Sequence, residues 1–392
     1  MDVFIADWLN LILRWAHLVV GIGWIGTSFY FIALDLGLRK NPKSPPAVYG
    51  EQWQVHGGGF YHVDKYTVAP PQLPEHLVWF RWEAYLTWVT GFGLLIVQYY
   101  WNARAYLIDP TVLDITPTLA IAISLGTLAA GWFIYDLICR SPVGERPVLL
   151  SAVVFVLLVG ASWGLSQVFS GRGAFIHIGS LVGTIMAVNV FFVIIPNQKK
   201  LVAQLQAGQA PDPRYGAIGK QRSVHNNYLT LPVLLMMVSS HYPMLYSHPY
   251  SWLVVALIIV VGGLVRHLIN RHDAGDDFNA YSWAAPVAAI ALASAISITA
   301  PRPATSSVQV ADSEVLQIVN HHCTVCHARR PKHPGFAEAP NDMRIESLQD
   351  LRQYARLVRV QAVQSTAMPL GNETRMSTEE RQKLGAWLAE QH

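Results

Sequence analysis

Apolar residues recur in long runs over the first 300 positions: 9–34, 85–100, 118–137, 147–166, 174–195, 228–243, 250–265 and 282–299. Most approach the roughly 20 residues a helix needs to cross a bilayer. The sixth and seventh are shorter, so their flanks are expected to extend as helix. The pattern predicts about eight membrane spans, the seventh being the weakest. No Lys or Arg precedes the first run, whereas a cleaved leader needs a positive n-region, so the run is read as a span. One break in the helical pattern is 53–66, which reads as two strand-like pieces about the run Gly57-Gly58-Gly59.

After residue 300 the pattern changes. Residues 301–310 are rich in Pro and Ser and read as a tether. Residues 312–320 form an amphipathic pattern with Val315, Ile318 and Val319 on one face. A closing helix is expected near 378–390, with Leu384, Trp387 and Leu388 apolar. The expected fold class is all-α: a membrane helix bundle over 1–300, a linker over 301–310 and a small all-α domain over 311–392.

Composition agrees. Charged residues make up 14%, against about 25% in soluble proteins. Predicted loops on one side carry thirteen Lys and Arg, among them Arg39, Lys65, Arg81, Arg140, Lys199 and Arg271; loops between spans on the other side carry Arg104 and Arg172. Under the positive-inside rule the thirteen face the cytoplasm. The net charge of +3 therefore reflects topology and gives no nucleic-acid footprint.

The sharpest chemical signal is Cys323-Thr324-Val325-Cys326-His327. C-x-x-C-H is the signature of covalent c-type haem attachment, in which each thiol adds to a vinyl group and the adjoining His ligates iron. Met368 is the candidate sixth ligand, since a thioether opposite His raises the reduction potential. Met343 and Met376 compete for that role, and a Met in so small a domain also serves as core filler. The Met368-Pro369 loop resembles the class I cytochrome c pattern. Haem attachment to cytochromes c takes place outside the cytoplasm, so a periplasmic tail is expected. Eight spans then place Met1 outside too, in agreement with the charge bias. With Cys323 and Cys326 committed to haem, Cys139 has no disulfide partner.

Ionisable residues within spans are functional candidates. An outer layer holds Arg14, His17, His177 and His241, with Arg14 and His17 three residues apart on one helix face. Two such histidines are candidates for a second, b-type haem; the competing reading is polar contact between helices. An inner layer holds His56 and His62 about the glycines, Arg81-Trp82-Glu83, the stretch 220–228 with Arg222, His225, Asn226 and Asn227, and Arg266-His267. Its competing reading is a solvated loop with capping Asn residues and aromatic anchors.

Several stretches carry a family resemblance: His56-Gly-Gly-Gly-Phe-Tyr-His-Val, Trp82-Glu-Ala-Tyr-x-Thr-Trp, Ile195-Pro-Asn-Gln-Lys, and Ser223-Val-His-Asn-Asn-Tyr-Leu-Thr-Leu-Pro. Together with the C-terminal motif, the chain resembles the bacterial membrane-bound urate oxidase (urate hydroxylase PuuD) family along its length. The resemblance implies eight spans in the bacterial inner membrane and a periplasmic cytochrome c domain. It further implies oxidation of urate to 5-hydroxyisourate in purine catabolism, with electrons passing through haem to a soluble cytochrome c or terminal oxidase. On chemical grounds Glu83 or His225 is the expected base, with Arg222, Asn226 and Asn227 orienting the urate anion.

One tension follows. An inner site lies about 30 Å of hydrocarbon away from an outer haem. A b-type haem at the outer histidines would relay the electrons; alternatively, urate binds among Arg14, His17, His177 and His241. The rival functions are an electron-relay subunit without its own substrate and a transporter carrying a regulatory cytochrome.

Overall fold

The computed structural model describes residues 3–277, 279–298 and 310–390, so most of the expected tether lies outside the described residues. The chain is mostly helical. Helix α1 (Val3–Gly37) leads into a hairpin of β1 (Val48–His56) and β2 (Gly59–Tyr66), followed by α2 (Trp82–Leu94), which continues as a π-helical turn over Leu95–Tyr100. Next come α3 (Ala103–Tyr106), α4 (Pro117–Arg140), α5 (Pro147–Ser166) and α6 (Gly171–Val188). A second π turn (Asn189–Ile194) joins α6 to α7 (Ile195–Gln206), and α8 (Pro213–Val238), α9 (Pro243–Tyr246), α10 (Ser251–Asp273) and α11 (Ala284–Ile298) complete the bundle. The long helices coincide with the eight predicted runs.

Local signals explain where these helices start. Thr116 caps α4 by accepting from the Leu119 N–H, and Pro117 fills the first turn, where no donor is needed. Ser170 caps α6 and Asp212 caps α8 in the same way. Among the described residues, five helices are long and apolar enough to cross a membrane; α2, α8 and α11 are shorter or more polar. The continuous helix Gly171–Gln206 is the central one, with 67% of its most apolar window buried, whereas α1 has 6%. Large apolar side chains such as Trp15, Leu137 and Val148 face outward, as expected where lipid replaces water.

The hairpin is the one sheet among the described residues, a local exception to an all-α fold. Gly57 and Gly58 sit at its tip with φ of 59° and 80°, the positive values that a tight two-residue hairpin turn requires. The glycine run thus serves the turn, where positive φ alone favours glycine: added Cβ atoms at Gly57 and Gly58 would meet nothing within 4 Å. His62 stacks on Trp53 across the strands with centroids 4.4 Å apart.

The C-terminal unit packs α12 (Asp312–His322), α13 (Thr324–His327), α14 (Leu348–Gln353), α15 (Ala355–Val358), a third π turn (Arg359–Val363) and α16 (Thr378–Ala389). The predicted faces are its core: Val315, Ile318 and Val319 on α12 meet Leu384, Trp387 and Leu388 on α16, all buried. The Trp387 indole N–H donates to Asp312 at 2.7 Å and ties the two helices. A capping box fixes the start of α16, where the Ser377 hydroxyl accepts from the Glu380 N–H while the Glu380 carboxylate accepts from the Ser377 N–H. This unit sits on the end of the bundle formed by α3, the start of α6 and α9. The hairpin lies at the other end, where Arg39 pairs with Glu51 through backbone hydrogen bonds.

Candidate functional site

Three polar constellations stand out, and each touches one of the three π turns, a helix irregularity often found at functional sites. The first is in the C-terminal unit. Cys323, Cys326, His327, Met343, Met368 and Met376 line one cavity. His327 Nδ1 lies 2.8 Å from the Met343 carbonyl, which can only accept, so Nδ1 carries the proton and Nε2 is left as a free lone pair. Burial pushes the Cys323 thiol up to about 12 and the Cys326 thiol up to about 11, and neither is in a disulfide. Gln361 and Ala362 of the third π turn complete the wall. Two free thiols, an oriented imidazole and thioethers around an apolar space fit the donor set of a covalently held haem. Met376 is 2% exposed and belongs to the core, whereas Met368 lies in the loop at the cavity, its carbonyl accepting from Arg381 at 2.6 Å. Tyr106 of α3 and Arg172 of α6 close this cavity from the bundle side.

The second constellation lies between α1, α2, α6 and α8, in the half of the bundle nearer the C-terminal unit. A cavity of about 200 Å³ is walled by Arg14, His17, Trp88, Phe92, Gln98 and Tyr99. Trp88 and Phe92 stack on each other, with centroids 5.1 Å apart and planes 7° off parallel. His17 Nδ1 donates to the Thr87 carbonyl at 3.0 Å, which again leaves Nε2 as an acceptor. Arg14 donates to Gln98 at 2.7 Å and also to Asn10. The first π turn supplies Gln98 and Tyr99. His177 and His241, grouped with these residues by depth in the sequence, are not in this wall. His177 is fully buried and spends both ring nitrogens, Nδ1 on the Gly173 carbonyl and Nε2 on Ser124. Its one ring lone pair, on Nε2, is engaged by the Ser124 hydroxyl.

The third constellation is the inner layer, which the structure assembles as a buried network. Arg222 Nη2 donates to Asp136 at 2.8 Å, and Arg140 reaches the other Asp136 oxygen at 2.6 Å. Tyr135 and His225 Nδ1 lie 2.7 Å apart. Asn189, which opens the second π turn, donates to Tyr135 and Asn226. Asn227 Oδ1 accepts from both Arg266 and Asn270 at 3.0 Å. Glu83 stands apart at the start of α2 beside Gly23 and makes no side-chain hydrogen bond to this network. Of the predicted catalytic set, then, Arg222, His225 and Asn226 come together about Tyr135 and Asn189, Asn227 joins a separate cluster with Arg266 and Asn270, and Glu83 stands outside both. Gln98, Asp136 and Asn189 interrupt apolar runs, a sequence signal for all three; Tyr99 and Tyr106 carried none, because aromatic side chains with polar ends are common near bilayer interfaces.

Comparison with known proteins bears on residues 3–298, which match the family model described as urate oxidase N-terminal. No curated protein and no solved structure matches the chain. The match covers all eleven bundle helices and the hairpin, and the chain therefore belongs to the urate oxidase N-terminal family.

Proposed function

We propose that this protein oxidises urate to 5-hydroxyisourate in the cavity between α1, α2, α6 and α8. In this reading Cys323 and Cys326 would hold a c-type haem covalently and His327 and Met368 would ligate its iron, and the group would supply one-electron acceptance. The bundle crosses the bacterial inner membrane eight times with the C-terminal unit in the periplasm, and a soluble cytochrome c or terminal oxidase takes the electrons onward. The overall change is urate plus water giving 5-hydroxyisourate, two protons and two electrons.

The observation that carries the reading is the position of the two cavities at one end of the bundle. The Cys–His–Met cavity is closed by Tyr106 and Arg172 of the family-matched domain. Each side chain of the bundle cavity has a role that suits urate. The Arg14 guanidinium pairs with the anion, and an outer face of the Trp88–Phe92 stack packs on the flat ring. His17 Nε2, its tautomer fixed by Thr87, takes a proton from the attacking water.

A second reading is favoured by one observation. Buried atoms of the inner network lack partners: Arg222 Nε and Nη1, Asn227 Nδ2 and Arg266 Nη2 as donors, Asn189 Oδ1 and Asn270 Oδ1 as acceptors. A polar ring bound there would satisfy them, with His225 or Glu83 as base. Urate turnover in variants with an intact haem spectrum separates the two. On the first reading Arg14→Gln and His17→Gln each lose about a hundredfold or more, while His225→Ala and Glu83→Gln stay within severalfold of the parent. The reverse pattern moves the site to the inner network. An electron-relay subunit or a transporter predicts that urate does not reduce the haem in detergent, where no gradient exists.

A further inference from the structure

Tyr99 and Tyr106 connect the two cavities. Tyr99 lines the bundle cavity and Tyr106 lines the Cys–His–Met cavity. Their rings meet edge-to-face with centroids 6.0 Å apart and planes at 66°, the usual geometry of an attractive aromatic pair. Tyr99 is 4% exposed and packed into the bundle core, so its ring has little freedom to leave. Arg172 lies 5.9 Å from the Tyr106 ring and 5.7 Å from the Tyr246 ring, and it donates to the Tyr246 hydroxyl at 3.1 Å. Tyr106 thus packs against two fixed groups.

We propose that the Tyr99–Tyr106 ring pair is the electron bridge from the substrate cavity to the haem cavity. The inference rests on the function proposed above and deepens it. Each urate yields two electrons, which cross singly to the ferric haem; a downstream one-electron carrier removes the first before the second arrives. Both protons stay with water and His17 in the substrate cavity. Two features argue that the rings carry the electron as a pathway and are not themselves oxidised. The buried Tyr99 hydroxyl has no hydrogen-bond partner to take a proton, and the Arg172 cation beside Tyr106 disfavours removing charge from that ring. The aromatic rings matter, then, and the hydroxyls do not.

The test uses the oxidised full-length protein mixed with urate without oxygen, with haem absorbance followed through the first electron. At saturating urate, Tyr99→Leu and Tyr106→Leu are each expected to slow urate-driven reduction about tenfold or more, while Tyr106→Phe stays near the parent. Two controls isolate the bridge. Ascorbate should reduce the haem of every variant at the parent rate. Calorimetry on haem-free Cys323→Ala/Cys326→Ala protein should give the same urate Kd with and without Tyr106→Leu. Leu variants that reduce at the parent rate overturn the bridge, and Tyr106→Phe as slow as Tyr106→Leu overturns a ring-carried path. A parent whose covalently bound haem urate fails to reduce overturns the underlying function, and the bridge with it.

Discussion

Gly371 gives the sharpest test of how the C-terminal unit is seated. Its φ is 58°, almost the same as the 59° of Gly57 in the exposed hairpin tip. Alanine at either position pays about 1–2 kcal/mol for a left-handed backbone. Only Gly371 pays more. An added Cβ there would lie 2.7 Å from the Ala105 carbonyl oxygen and closer still to that of Arg104, whereas one at Gly57 meets nothing within 4 Å. Comfortable contact needs about 3.5 Å, so the C-terminal unit must retreat from α3 by about 1 Å. Overpacking of this kind costs about 1–3 kcal/mol. The retreat draws the 370 loop away from Tyr106 and strains the Arg375–Asp114 ion pair, now 2.6 Å long. Gly371→Ala should therefore destabilise by about 2–5 kcal/mol against about 1–2 for Gly57→Ala, and it alone should raise amide exchange over residues 103–107. Gly371→Asn separates the two contributions: asparagine tolerates positive φ but brings the same Cβ, so it should relieve strain and still undock. Thermal unfolding in detergent and hydrogen exchange read these effects. Equal behaviour of Gly371→Ala and Gly57→Ala in both assays would refute the seating argument.

Two further predictions concern charge. Asp136 is paired with Arg222, whose side chain is 2% exposed, so Asp136→Ala leaves a buried guanidinium uncompensated and should cost about 3–5 kcal/mol. Arg222→Met added to it should restore most of that loss, and a single variant melting within about 1 kcal/mol of the parent would show that the pair is not structural. In the C-terminal unit, burial works against ionisation of Glu380, but the Ser377 N–H, the His322 ring and the Ser377 hydroxyl outweigh it and hold the carboxyl down at about 2, from an ordinary 4.5. A depressed acid stabilises the fold above its unfolded pKa and loses that contribution as pH falls through the folded one. Glu380→Gln should therefore lower stability by about 1–2 kcal/mol at pH 7, discounted for partial exposure. The gap to the parent should close between about pH 4.5 and pH 2; a gap independent of pH would refute the assignment.

The sequence alone determined the helices, because apolar runs of membrane length leave the backbone few other ways to satisfy its own hydrogen bonds. It also determined the faces of α12 and α16, where Val315, Ile318, Leu384 and Trp387 follow helical spacing into the core, and the grouping of Cys323, Cys326 and His327, which are near one another in the chain and so need only one turn of helix. Depth along a span was legible too: Arg14 and His17 share one cavity. What lay beyond reach was azimuth, the direction in which a side chain leaves its helix once neighbours crowd around it. His177 has nearly the depth of His17 yet turns toward Ser124, and Glu83 has nearly the depth of the inner network yet faces Gly23. The π turns at Leu95–Tyr100 and Asn189–Ile194 add a residue to the helical repeat, so they rotate every later side chain by a step that periodicity does not register. Tertiary packing alone decided that Tyr99, within such a turn, and Tyr106, seven residues on, come ring to ring between two cavities, because the helix breaks at Asn102 between them and no single helical period relates their directions.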